Sequence, residues 1–146
     1  MSKEQDDVRK ASTQFYAALT SMLNGDASPL ADIWSHSTAV TTMHPIGGRQ
    51  VGWGEVRESW EQVAKISSEG RVKLADQIIQ VAGDLGYEVG VEQGQFELAG
   101  QLLDIEARVT NIYRREADGW KIVHHHTDVS SVMLDALNRS PGKTKT

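Results

Sequence analysis

The side chains best suited to chemistry gather near the C-terminal end, in His124-His125-His126-Thr127-Asp128. A β-strand alternates its faces, so His124, His126 and Asp128 are expected to share one side with Trp120 and Ile122, while His125 and Thr127 take the other. Two imidazoles two residues apart on a strand stand about 6.5–7 Å apart along the backbone. Three readings fit that pattern. Asp128 can fix an imidazole tautomer and make a base–orienter pair. The His-x-His pair can offer two nitrogens to a metal, with Asp128 or His44 adding a further ligand. Alternatively, the groups are polar wall residues satisfied by one another and by water. The preceding strand adds Asn111 and Tyr113, which share a face with Val109 and can both donate hydrogen bonds. Alternation alone does not say which face points inward.

These residues need a sheet to hold them. Stretches 72–82, 86–98, 102–115 and 120–130 are rich in β-formers. They are separated by Gly83-Asp84, Ala99-Gly100 and Ala117-Asp118-Gly119, turns short enough to dictate antiparallel hairpins. Gly86, Gly90 and Gly94 recur every four residues in one strand, and glycines inside strands mark bulges or sharp bends. The helical period lies upstream. Val8, Ala11, Phe15, Ala18 and Met22 predict an amphipathic helix over 5–24, capped by Ser2 or Asp6 and stopped at Asn24-Gly25. Ser28-Pro29 opens a short helix through Trp34. A strand follows over 38–43, with a turn at Ile46-Gly47-Gly48-Arg49. Trp53, Val56, Trp60 and Val63 stripe a third helix over 52–66. Residues 131–137 allow a last helical turn. The expected fold is α+β: N-terminal helices packed in one highly curved antiparallel sheet, closing a cone. One domain is expected over 1–138, with a mobile tail at 139–146.

Composition narrows the classes of function. The chain has 146 residues, 39 % of them apolar, enough for one core. A net charge of −5 and the absence of a basic cluster argue against nucleic acid. With no cysteines, thiolate chemistry and disulfides are excluded. The polar, acidic N-terminus is not a signal peptide, and no apolar run approaches the roughly 20 residues that span a bilayer. A soluble, cytoplasmic protein is expected. No Gly-x-Gly-x-x-Gly, phosphate loop or haem attachment motif is present, so no cofactor is expected.

Element order and motifs together resemble a known family. Asn24-Gly-Asp26 follows the first helix, Val51-Gly-Trp-Gly-Glu-Val-Arg57 opens the third, and Arg108-Val-Thr110, Tyr113-Arg-Arg115, Gly119-Trp120 and His124-His-His-Thr-Asp128 make the last hairpin. Over roughly residues 7–130 this is similar to the NTF2-like superfamily, in its SnoaL-like group related to ketosteroid isomerases. The resemblance implies a deep apolar pocket between sheet and helices and a homodimer through the outer sheet face. It does not name a function, because the superfamily hosts isomerases, dehydratases, cyclases, epoxide hydrolases and many binding or oligomerisation domains.

The resemblance also suggests site residues. His44, before Pro45, stands where the steroid isomerases carry their catalytic aspartate, and Asn111 stands where they carry a second acid. Phe15 takes the place of their tyrosine, with Tyr16 beside it. The catalytic set differs at every position, so steroid isomerisation itself is not expected. The same alignment puts Asn111, Tyr113, His124, His126 and Asp128 on the pocket side and His125 outward. His44 is then the candidate base, and Asn111 and Tyr113 are hydrogen-bond donors to a carbonyl or oxyanion. Tyr16, Trp34, Trp53, Trp60 and Trp120 are candidate ligand contacts. Trp34 and Trp53 are expected at the rim, and Trp60 and Trp120 nearer the core. Glu88, Glu92, Asp104, Glu106 and Arg108 are expected on the outer strand face, in cross-strand ion pairs or a dimer contact. His36 is expected at the surface. The expected functions are a cofactor-independent proton-transfer enzyme (isomerase, dehydratase or cyclase type) on a small, largely apolar ligand, a non-catalytic homodimeric ligand-binding or assembly domain, or a metal protein using His124, His126 and Asp128.

Overall fold

A computed structural model describes residues 2–139. Four helices and six strands run in the order α1 (Lys3–Met22), α2 (Leu30–Ile33), β1 (Thr41–His44), β2 (Gly47–Val51), α3 (Trp53–Lys65), β3 (Ser67–Ala82), β4 (Leu85–Leu98), β5 (Gln101–Glu116), β6 (Gly119–Thr127) and α4 (Ser131–Asn138). The expected tail lies, apart from Arg139, outside the described residues.

Helix α1 begins with a capping box. Ser2 Oγ accepts from the Gln5 backbone N–H at 3.1 Å, and Gln5 Oε1 accepts from the Ser2 N–H at 3.0 Å. Ser2, not Asp6, is therefore the cap, satisfying donors that helix geometry leaves unpaired. After α1, the Asn24 side chain both donates to and accepts from the Gly70 backbone, at 2.8 and 3.1 Å. A Cβ on Gly70 would stand 2.3 Å from that of Leu23, so this close approach of β3 to the end of α1 requires glycine. Val8, Phe15, Leu19 and Met22 of α1 are buried with Val56 and Trp60 of α3. Each contributes about 1.5–3 kcal/mol of hydrophobic stabilisation.

The strands form one sheet in the order β2-β1-β6-β5-β4-β3. Four of its five pairings are antiparallel, and β1 pairs with β6 in parallel. The sheet is therefore mixed, where hairpins alone predicted an antiparallel one. The crossover needed for a parallel pair is supplied by everything between β1 and β6. Residues 47–51 form an edge strand, where a turn was expected at 46–49. Strand β3 starts five residues earlier than its composition predicted. It bulges twice, between Ser68 and Arg71 and between Ala75 and Ile78, and these bulges bend the sheet around the helices. Among the described residues, no helix is long and apolar enough to cross a membrane.

Candidate functional site

One residue decides which histidines face the core. In the β5–β6 ladder, Ile112 pairs with His124 but Tyr113 pairs with Ile122, which leaves Val123 as an extra residue. A bulge of this kind reverses the alternation beyond it. Trp120 and Ile122 point inward before the bulge, and His125 and Thr127 point inward after it. His124, His126 and Asp128 are thereby turned to the outer face. His124 Nδ1 lies 2.6 Å from Thr41 Oγ1. Asp128 is held by Arg108 through Nε at 2.8 Å and an Nη at 3.2 Å.

Inside, a connected polar cluster crosses the sheet. His125, 2 % exposed, places Nδ1 at 2.6 Å from Asn111 Oδ1. Asn111 Nδ2 donates to Glu88 Oε1 at 3.0 Å and to the Tyr16 hydroxyl at 3.1 Å. The Tyr16 O–H donates to Glu92 Oε2 at 2.9 Å. Glu88, fully buried, also accepts from the Tyr113 hydroxyl at 2.9 Å and from Gln77 Nε2 at 2.6 Å. Three donors make its burial tolerable, since an unpaired carboxylate there would cost several kcal/mol.

The cluster backs onto a cavity of about 60 Å³, walled by apolar groups including Leu19, Met22, Phe96 and Met133, and by His44, Trp60, Glu92 and His125. An open depression of about 700 Å³ shares His44, Ile46 and Val63 with it. His44 is buried, with its Nε2 2.8 Å from Ser59 Oγ and its ring edge-on to Trp60 at 4.4 Å between centroids. Ser59 spends its one proton on the Val56 carbonyl at 2.7 Å. It must therefore accept from His44, whose Nε2 carries the hydrogen and whose Nδ1 keeps its lone pair.

Burial sets the charges here. It raises the Glu92 carboxyl to about 7, against the hydrogen bond from Tyr16, and the nearby Glu88 charge adds to the rise. Burial lowers His44 to about 4. His125 falls well below the usual imidazole range, through burial first and then the neighbouring His44, His124 and His126. Both histidines are thus neutral near pH 7, while Glu92 is raised toward that range. Tyr16 and Tyr113 are raised, chiefly by burial, and remain protonated donors.

The family model of the SnoaL-like domain matches residues 8–134. The chain belongs to the SnoaL-like domain family. Among solved structures it is similar to a dehydratase candidate of the NTF2-like family from Streptomyces avermitilis. The TM-score is 0.76 at 26 % identity, covering 87 % of this chain and 96 % of that one. It shares the fold of an NTF2-like superfamily protein from Salmonella enterica, with a TM-score of 0.75 at 17 % identity over 97 % and 96 % of the two chains. It also shares the fold of the CaMKII hub of S. rosetta, with a TM-score of 0.69 at 19 % identity over 89 % and 99 %. No curated protein shows a significant match to the sequence.

Within this SnoaL-like domain, the residues singled out in the sequence divide sharply. His44 and Trp60 line the cavity, and Tyr16, Asn111 and Tyr113 belong to the buried cluster behind it. His124, His126 and Asp128 do not face the cavity, because the Val123 bulge reverses their parity. Among the described residues, no group of three or more His, Asp or Glu is placed to hold a metal, and Asp128 is taken by Arg108. Trp34 is not at a rim. It is buried against Phe15, Trp53 and Trp60, with ring centroids 6.3–6.5 Å away. Trp53 is half-buried and stacks on the exposed His36 at 4.6 Å. Trp120 lies away from the cavity, at the end of the sheet under Arg115.

Besides His124, His126 and Asp128, three residues lie on the opposite face to the one expected: His125, Glu88 and Glu92 were expected outward and face in. The register explains the glutamates: Glu88 pairs with Asn111 and Glu92 with Ala107, and directly opposed residues of an antiparallel pair share a face. A signal was present in the sequence. Gly86, Gly90 and Gly94 alternate with Glu88 and Glu92, and small residues on a face that the sheet folds over leave room for larger neighbours.

Proposed function

We propose that this SnoaL-like domain binds a small, neutral, largely apolar carbonyl compound in the His44–Trp60–Glu92–His125 cavity and moves a proton on it without a cofactor. The observation that carries this reading is Glu92: a buried carboxyl on the cavity wall, held by Tyr16 and poised near neutral pH. General bases work best with a pKa close to the operating pH. Glu92 carboxylate takes a proton from the carbon next to the ligand's carbonyl, giving the carboxylic acid and an enolate. In a 2-hydroxyketone the hydroxyl proton then passes to the former carbonyl oxygen, and the proton held by Glu92 returns to the former carbonyl carbon, which regenerates the carboxylate and yields the isomeric hydroxyketone. In a simple ketone it returns to the α-carbon, which gives exchange alone. Glu92 Oε2 keeps the Tyr16 bond throughout, leaving Oε1 for the transfer. The Trp60 indole N–H is buried without a partner among the described residues, and a ligand that displaces the wall atoms over it would gain a donor to the developing oxyanion. His44, neutral and tied to Ser59, is a wall residue in this scheme, and the role of base passes to Glu92. Anionic ligands are disfavoured by the buried carboxylates.

The test is deuterium exchange. Small cyclic ketones and hydroxyketones are incubated with the protein in D₂O and followed by proton NMR. Exchange at the α-carbon is expected on the order of 10²–10⁴-fold above buffer for the preferred compounds. Glu92→Gln is expected to remove it, while His126→Ala keeps it. A rate equal to buffer across the panel, or full activity in Glu92→Gln, overturns the proposal.

A second reading is an association domain, which the outer sheet face favours. Ile78 and Tyr87 are exposed there beside Val89, Val91 and Ile112. Clustered apolar residues on a strand face mark an interaction surface, and the shared fold with the CaMKII hub fits that use. Light scattering at micromolar concentration tests it. An oligomer that Tyr87→Asp dissociates supports the reading, and a wild-type monomer overturns it.

A further inference from the structure

The interior hydrogen bonds form a chain with a fixed direction, and its start is a cation. An Arg9 guanidinium nitrogen donates to Gln77 Oε1. A guanidinium offers only donors, so the Gln77 amide must turn its oxygen to Arg9 and its nitrogen the other way. That nitrogen donates to Glu88 Oε2. Glu88 Oε1 then accepts from Asn111 Nδ2, whose second hydrogen goes to Tyr16. With both amide hydrogens committed, Asn111 can present only its oxygen to His125, and it does so at 2.6 Å. His125 Nδ1 must therefore carry the ring hydrogen. Its Nε2 has no hydrogen-bond partner among the described residues, and the ring lines the cavity.

We infer that Glu88 is a positioning residue: acting through Asn111, it holds His125 as the Nδ1–H tautomer, so that the cavity presents a lone pair at Nε2. On the reading that the cavity is the ligand site, this narrows the ligand class. The bound compound must bring a hydroxyl or N–H donor to Nε2, besides the carbonyl and acidic C–H that Glu92 requires. A hydroxyketone satisfies both demands, and its methyl ether satisfies only one. Glu88 never touches the ligand in this scheme. The Tyr113 hydroxyl and Gln77 hold its carboxylate still, so the direction set at Arg9 reaches His125 without slack.

The experiment reads the tautomer itself on ligand-free protein, by ¹⁵N NMR of the histidine side chains, so it is independent of any activity. The wild type is expected to show a protonated Nδ1 and a bare Nε2 at His125. Glu88 Oε1 also accepts from Tyr113, so the amide is introduced with that hydroxyl removed. In Glu88→Gln/Tyr113→Phe, the new amide keeps its oxygen toward Gln77 and turns its nitrogen to Asn111. Asn111 must then reverse and donate to His125, moving the ring hydrogen to Nε2. Glu88→Gln/Asn111→Asp exchanges acid and amide and again offers an oxygen to Nδ1, so the wild-type tautomer is expected there. A wild-type His125 carrying its hydrogen on Nε2 overturns the inference. So does an unchanged tautomer in a folded Glu88→Gln/Tyr113→Phe, or an Nε2–H tautomer in Glu88→Gln/Asn111→Asp. If Glu88→Gln/Tyr113→Phe fails to fold, the wild type and Glu88→Gln/Asn111→Asp still decide.

Discussion

Asn111 and His125 face each other across β5 and β6, joined by a 2.6 Å bond between Oδ1 and Nδ1. Their meeting depends on the extra residue at Val123. Without it, the ladder that pairs Tyr113 with Ile122 would place His124 opposite Asn111, and His125 would stand outside. A contrast between neighbouring histidines follows. His125→Ala leaves Asn111 Oδ1 unpaired in the interior and opens space beside Phe15 and Trp60. It is expected to cost about 2–4 kcal/mol. His126→Ala, on the outer face, is expected to stay within about 0.5 kcal/mol of wild type. Urea unfolding of the two variants checks the order, and equal losses would contradict the assignment of faces.

The pH dependence of stability should carry the mark of Glu92. Its carboxyl is raised from 4.5 to about 7 in the folded chain. The folded state therefore holds a proton that the unfolded state has released between those values. Glu92 contributes stability that is fully present below pH 4.5 and lost as pH rises through about 7. His44, lowered from 6.5 to about 4, acts in the opposite direction: its contribution is present above pH 6.5 and lost as pH falls through about 4. His125 has the same sign as His44, and Glu88 and Tyr16 are the other groups facing Glu92. Total stability mixes these terms, so the clean measurement is a difference. Relative to wild type, Glu92→Gln is expected to gain about 3 kcal/mol between pH 4.5 and pH 8. A constant difference across that range would mean that the Glu92 carboxyl titrates normally.

The layers of this fold were legible because their signals are periodic and repeated. A stripe such as Val8, Phe15 and Met22 survives a one-residue error, and four strands in series tolerate uncertain ends. The site was less legible because it depends on parity, which a single residue inverts. Nothing in Lys121-Ile122-Val123-His124 announces a bulge, since Val123 is an ordinary strand former. The alignment with the steroid isomerases grouped His44, Tyr16, Asn111 and Tyr113, which the fold sets at the cavity or in the buried cluster behind it. It could not place His125, Glu88 or Glu92, whose positions follow from the register with β5. The parallel β1–β6 pair was also hidden, because it joins segments far apart in the chain and leaves no turn to read.

Two glycine substitutions should move stability in opposite directions. Gly94 lies where the bulged β3 folds over β4, and a Cβ there would meet the Arg71 carbonyl oxygen at 2.0 Å. Backbone atoms must shift to admit it, so Gly94→Ala is expected to cost about 3 kcal/mol or more, at the upper end for single changes. At Gly54, in the first turn of α3, an added Cβ would have nothing within 4 Å. Gly54→Ala is expected to stabilise by about 0.5–1 kcal/mol, because alanine restricts the unfolded chain and favours helix. Thermal unfolding of both proteins tests the pair. A tolerated Gly94→Ala would mean that β3 and β4 do not approach as closely as the glycine implies.

Access to the cavity is expected to run past α4. This helix is anchored at its ends, by the Ser130 N–H on the Pro45 carbonyl at 2.8 Å and by Gln101 Nε2 on the Ala136 carbonyl at 3.2 Å. Between these ties it lowers Met133 into the cavity wall. A volume of about 60 Å³ is smaller than the roughly 150 Å³ of a cavity known to bind benzene, so a ring-sized ligand must displace something. Methionine is the wall residue best able to yield, being unbranched and flexible. Met133→Ala is therefore expected to do two things. It should destabilise the chain by about 2–3 kcal/mol, at the low end for buried methionine because a short peripheral helix can settle inward. It should also raise the melting temperature in the presence of benzene or toluene, through mass action on a site now large enough to hold them. Wild type is expected to respond weakly or not at all to the same compounds. If the destabilised variant shows no ligand-dependent rise, Met133 does not control the size of the cavity, and entry must instead pass His44 from the open depression beside Ser59.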